Sequence, residues 1–128
     1  MFEFKKQPLV RHRDETPPAD WPFGVMQRIV TAGAGGIANV HVATVVGALP
    51  RFFHTGYNEV YYVLAGTGSV ELDGETHRLR PGSVVVIPAG VSHSLQADTV
   101  QPLEFVIFGT PPMPIDDERA RPRPAQAP

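Results

Sequence analysis

The feature that most constrains this chain is its punctuation. From about residue 38 to residue 108, turn-forming residues interrupt the apolar runs again and again. No window of ten or more residues there carries a helical period. Leu72-Asp73-Gly74-Glu75 sets Asp-Gly between two β-rich runs, the signal for a two-residue hairpin turn in which both central residues take positive φ. Ala65-Gly66-Thr67-Gly68 and Arg80-Pro81-Gly82 supply two more tight connections. The runs between turns, 25–30, 38–46, 59–65, 68–72, 75–80, 83–88, 93–97 and 103–108, are rich in Val, Ile, Tyr and Phe, whose side chains suit a pleated, half-buried surface. Many short strands predict an all-β barrel or sandwich, with helix confined to a turn or two.

The ends read differently. Residues 1–24 mix charge with Pro8, Pro17, Pro18 and Pro22 and show no period, so they are expected to form an arm, pinned at its end by Trp21 and Phe23. Residues 25–110 make the barrel. Residues 111–128, with Pro111-Pro112-Met113-Pro114 and Arg121-Pro122-Arg123-Pro124, are expected to be a loose tail. Gly33-Ala34-Gly35-Gly36 has the glycine content of a phosphate-binding loop, but no helical pattern follows it, and a loop between strands is expected instead.

Charge and cysteine then narrow the function classes. Lys plus Arg number 11 and Asp plus Glu 13, a net charge of −2, which argues against tracking along nucleic acid phosphates. No cysteine is present, so disulfides, thiolate metal sites and cysteine nucleophiles are excluded together; His, Asp and Glu remain as strong ligands. No apolar stretch is long enough to span a membrane as a helix, and the start lacks a signal-peptide core. A cytoplasmic protein is expected, with neither nucleic acid nor membrane as partner.

Of the five histidines, two stand in informative places. His54 shortly precedes the run Glu59-Val60-Tyr61-Tyr62-Val63-Leu64, where a carboxylate at the mouth of an apolar strand is an odd choice unless something cationic faces it. His93 follows the rigid turn Pro88-Ala89-Gly90-Val91-Ser92, which would aim its ring back toward the sheet. Gly82, five residues, Pro88, one residue, Gly90, two residues and His93 is similar to the second motif of the cupin superfamily, G-x5-P-x-G-x2-H. The first motif resembles Phe52-Phe53-His54-Thr55-Gly56-Tyr57-Asn58-Glu59 with Gly66 closing the count. The resemblance covers roughly residues 38–110, and the chain looks like a small single-domain cupin of the kind described as mannose-6-phosphate isomerase-like. It implies an antiparallel jelly-roll β-barrel with a pocket in its interior.

It also implies a ligand set of three His and one Glu for a divalent metal ion, and here the chain departs from the pattern. The first histidine falls on Phe52, and the asparagine that ends the second motif falls on Ala97. His54, Glu59 and His93 remain, two imidazoles and a carboxylate, a set suited to Fe, Mn, Zn, Ni or Co with coordination positions left open. His41 and His12 are the candidates for a replacement ligand. Tyr61 shares the parity of Glu59 and is expected to point into the cavity, so Glu59 and Tyr61 are the candidate proton carriers. His77, two residues from Leu79 on one face, is expected to be packed; Arg51 and Arg78 are expected at exposed strand ends.

Two function classes follow. One is a metal-dependent enzyme of isomerase, lyase, cyclase or dioxygenase type acting on a small oxygenated molecule. The alternative is a non-catalytic binding or sensing barrel that has lost its metal. Small cupin barrels commonly pair through sheet edges, so a homodimer with the arm crossing to the partner is expected.

Overall fold

The computed structural model of the chain describes residues 4–53, 55–99, 101–113 and 123–124. His54 and most of the 111–128 segment lie outside the described residues. The strands are β1 (Ala19–Trp21), β2 (Gly24–Val30), β3 (Asn39–Val45), β4 (Phe52–Phe53), β5 (Asn58–Ala65), β6 (Gly68–Leu72), β7 (Glu75–Leu79), β8 (Val84–Ile87), β9 (His93–Ala97), β10 (Leu103–Thr110) and β11 (Arg123–Pro124). They form a six-stranded sheet in the order β1-β2-β3-β10-β5-β8 and a five-stranded sheet in the order β11-β4-β9-β6-β7. Every pairing between them is antiparallel. This is the jelly-roll β fold that the motifs implied.

Local chemistry explains the elements. Asp73 and Gly74 take φ of 47° and 87°, so the β6–β7 hairpin turns on the Asp-Gly pair as its sequence predicts. In β10 the even positions are exposed or half-buried while Leu103, Phe105, Ile107 and Gly109 are buried, the period-2 pattern of a strand with one wet face. The core draws Met26, Val45, Val63, Leu103 and Phe105 from one sheet and Val70, Leu79, Leu95 and Ala97 from the other. Each such side chain taken fully from water contributes about 1.5–3 kcal/mol.

Three features differ from the sequence reading. The arm contains a strand, β1, paired to β2, and residues before it are tied to the barrel by Arg13, which bonds Gln27 at 2.8 Å and Glu104 at 2.7 Å. The glycine segment is a single helical turn, α1 (Ala32–Gly35), whose Gly35 carbonyl accepts from the Gln7 amide at 3.1 Å. His77 is not packed: on the edge strand β7 its side chain is 49% exposed, 3.4 Å from Glu75. An edge strand with only Leu79 covered offers no second layer for it. Among the described residues, no helix is long and apolar enough to cross a membrane.

Candidate functional site

Strand register brings the polar residues of the barrel interior into rows. Arg28 on β2, His41 on β3, Ile107 on β10 and Tyr61 on β5 are successive Cα partners across four neighbouring strands. The next row runs Asn39, Gly109, Glu59 and Ile87. The first row, with Asn39 and Glu59 of the second, lines an interior cavity of about 240 Å³ whose other walls include Met26, Phe52, Tyr57, Leu95 and Phe105. From the opposite sheet, β9 brings His93 to the same cavity.

Two tight devices shape it. A Cβ on Gly109 would fall on the Tyr57 hydroxyl, so the phenol lies where only glycine leaves room and reaches Asn39. Pro88 to Val91 closes a turn through a 3.1 Å bond from the Val91 amide to the Pro88 carbonyl, with Gly90 at φ 87° where a β-carbon is disfavoured. That loop is held from two sides. Asn58 Oδ1 accepts from the Ala89 amide at 2.9 Å, and Asp73 Oδ1 accepts from the Ser92 amide at 3.1 Å and from its hydroxyl at 3.2 Å.

The loop delivers His93 in a defined orientation. Its Nδ1 lies 3.1 Å from the Val91 carbonyl, which accepts the Nδ1–H and turns Nε2 toward the cavity. Nε2 faces Glu59 Oε1 at 3.6 Å, and the Tyr61 hydroxyl donates to that same oxygen at 3.2 Å. Glu59 and His93 are both buried, 6% and 7% exposed. Burial first, then the Glu59 charge, pushes the Tyr61 phenol well above its ordinary pKa. The same two causes raise Tyr57, opposed by its bond with Asn39.

His41 sits toward the other end. Burial, followed by the neighbouring positive charge of Arg28, lowers its pKa to about 4, with Glu59 pulling the other way. Its Nδ1 is buried without a hydrogen-bond partner among the described residues. His12 is exposed and does not line the cavity.

Of the expected site residues, Glu59, Tyr61 and His93 are thus brought together, while His54 lies outside the described residues. Phe52 is the Cα partner of His93 and lines the cavity, so a phenyl ring occupies the wall where the motif count places the first histidine. No group of three His, Cys, Asp or Glu suited to a metal ion is found among the described residues. The donor chemistry fits a divalent ion nonetheless, since an imidazole nitrogen and a carboxylate oxygen converge in a buried site. Arg51 pairs with Glu71 and Arg78 with Asp98, and neither lines this cavity. Sequence reasoning passed over Arg28, Asn39 and Tyr57.

The chain is 35% identical over 54 residues to an uncharacterised protein of Streptomyces coelicolor, covering 42% of this chain and 51% of the relative. The chain spans about half the length of the curated relatives it matches. Ectoine synthase from P. lautus superposes with a TM-score of 0.78 at 22% identity, covering 94% of this chain and 92% of that one. A protein from Planctomyces limnophilus superposes with a TM-score of 0.74 at 25% identity, over 87% and 95% of the two chains. The family described as Cupin domain matches residues 40–109, more than half of the chain and the whole stretch that carries Glu59, Tyr61 and His93. This chain belongs to the cupin family.

Proposed function

We propose that the chain is a metal-dependent enzyme acting on a small oxygenated organic molecule inside the barrel, through isomerase, lyase or cyclase chemistry. The observation that carries this reading is the buried convergence of His93 Nε2, Glu59 Oε1 and the Tyr61 hydroxyl on one spot of the cavity wall. His93 and Glu59 are two of the ligands. The motif count supplies His54 as the third. A divalent ion bound there supplies Lewis acidity toward a carbonyl or carboxylate oxygen, which makes neighbouring protons removable.

The chain's own groups have divided roles. Nδ1–H of His93 bonded to the Val91 carbonyl fixes the ring orientation and the tautomer. Tyr61 stays protonated, because ionising a buried phenol beside a carboxylate is unfavourable, so it donates a proton or a hydrogen bond to a substrate oxygen rather than removing one. Glu59 accepts that hydrogen bond in the resting site. Apolar walls at Phe105, Ile107 and Met26 keep bulk water from the reacting end. That ectoine synthase, an enzyme, has the same shape is in keeping with this reading.

Phe52 favours one other reading, a barrel that binds its ligand without metal, with His93 and Glu59 as a plain pair. Elemental analysis of protein purified without chelator or an affinity-column metal separates the two. The enzyme reading expects about one divalent ion per chain, lost in both His54→Ala and His93→Ala. A parent with near-zero metal that still binds small molecules in the cavity would favour the other.

The proposal extends to a homodimer. The outer face of the six-stranded sheet leaves Tyr62, Val84, Val86 and Phe108 42–63% exposed on the adjacent strands β8, β5 and β10. Contiguous apolar surface of that kind marks an interaction site. The described part of the arm is engaged on its own barrel and leaves this face open.

A further inference from the structure

The far side of the same cavity carries polar groups that this chemistry does not use. Arg28 is the sole Lys or Arg lining it among the described residues. Its side chain makes no hydrogen bond and no ion pair among them, while the surface cations Arg13, Arg51 and Arg78 have carboxylate partners. A half-buried arginine in a lining that also holds Met26, Phe105 and Ile107 is an odd element of a largely apolar wall, because a cation removed from water is costly unless something anionic meets it. Its Cα partner His41 lines the same wall and holds a buried Nδ1 with no hydrogen-bond partner among the described residues. Arg28 and His41 therefore line the same end of the cavity side by side.

We infer that Arg28 and His41 form an anion-recognising end of the cavity, and that the ligand is a small monocarboxylate with an apolar body, its reacting end against Glu59, Tyr61 and His93. This rests on the cavity being the ligand site, as proposed above. The class follows from three properties. One guanidinium supplies one positive charge and a planar fork, which matches a carboxylate; a phosphate dianion would leave a second charge without a counterpart. Ile107, the Cα partner of both His41 and Tyr61, separates the two polar ends with a branched aliphatic side chain and asks for an apolar segment between the ligand's functional groups. His41 and Tyr61 stand two strands apart, roughly 10 Å at the backbone, and the cavity of about 240 Å³ admits only a small molecule between them. His41, neutral at ordinary pH, contributes a hydrogen bond rather than a second charge.

Calorimetric titration tests this with benzoate, phenylacetate and 2-oxobutanoate, each beside its primary amide, and with methylphosphonate. The proteins are the parent as isolated, the parent after chelator treatment, and Arg28→Gln, Arg28→Lys and Glu59→Gln. Far-ultraviolet circular dichroism and melting curves confirm that each is folded. The parent is expected to favour at least one carboxylate over its amide by about tenfold to a hundredfold. Chelator treatment should leave that preference in place, Glu59→Gln, which removes a negative charge from the same cavity, should not lower it, Arg28→Lys should keep part of it, and Arg28→Gln should remove it. A parent that binds amide and acid alike, or neither, overturns the inference. So does a preference that survives Arg28→Gln or vanishes with the chelator, and methylphosphonate binding tighter than every carboxylate overturns the ligand class. Metal content measured on the same preparations keeps the two proposals separate. Carboxylate preference in a parent isolated without metal sustains the Arg28 end and counts against the metal enzyme, and metal without that preference does the reverse.

Discussion

His41 sets the pH behaviour of the barrel at the scale of one residue. Its folded pKa of about 4 lies below the ordinary 6.5, so between those values the unfolded chain binds a proton that the folded chain does not. Stability is therefore full above about pH 6.5, falls as pH drops toward 4 and loses nothing further from this group below that. The loss is about 1–3 kcal/mol. Urea melts of the parent and His41→Gln across pH 3.5–7.5 should show a shallower acid limb in the variant. Identical limbs would remove His41 as the cause. Tyr61→Phe keeps the ring against Phe105 and deletes only the hydroxyl on Glu59. Turnover of any substrate found should fall by about 10²-fold or more with KM little changed, if the phenol donates in the reaction. A variant with parental kcat would assign it a packing role. What sequence showed at this scale was Glu59 and His93, because motif spacing marks them. Arg28 was hidden for a physical reason: Val25-Met26-Gln27-Arg28-Ile29-Val30 has apolar residues on both parities, so alternation does not say which face points inward.

Turns and loops, more than strands, decide where His93 points. The Asp-Gly pair that ends β6 also clamps the loop before β9, since Asp73 accepts both Ser92 bonds and its own amide donates to the Ser92 carbonyl at 3.0 Å. Asp73→Asn, which also tolerates positive φ, should be milder than Asp73→Ala, and the latter should cost about 1–2 kcal/mol. Amide hydrogen exchange at residues 89–93 should rise in Asp73→Ala; unchanged exchange would show that Asn58 alone holds the loop. The eight strands read from sequence are all present within a residue or two, because most are bounded by Gly, Pro or Asp-Gly. The strands β1 and β4, of three and two residues, carry no pattern that sequence could display, and only the register of β4 on His93 shows that Phe52 faces the site. His77 was misread because parity with Leu79 says which face a residue takes, not whether a neighbour covers it.

For the whole molecule, one face carries an apolar surface and the interior carries the polar site, an arrangement that lets association and binding be altered separately. Sedimentation at micromolar concentration should give twice the 13.9 kDa chain mass, and Val86→Glu on the edge strand β8 should return it to a single chain with its melting temperature little changed. A monomeric parent would contradict the dimer. The central claim, that Glu59 and His93 hold a divalent ion in a cavity where Phe52 has displaced a ligand, is tested most directly by titrating metal into chelator-stripped protein. The parent should bind one divalent ion per chain, His93→Ala should bind at least tenfold more weakly, and Phe52→His, which places an imidazole beside His93, should bind at least tenfold more tightly. No binding by the parent, or an affinity untouched by His93→Ala, would contradict it.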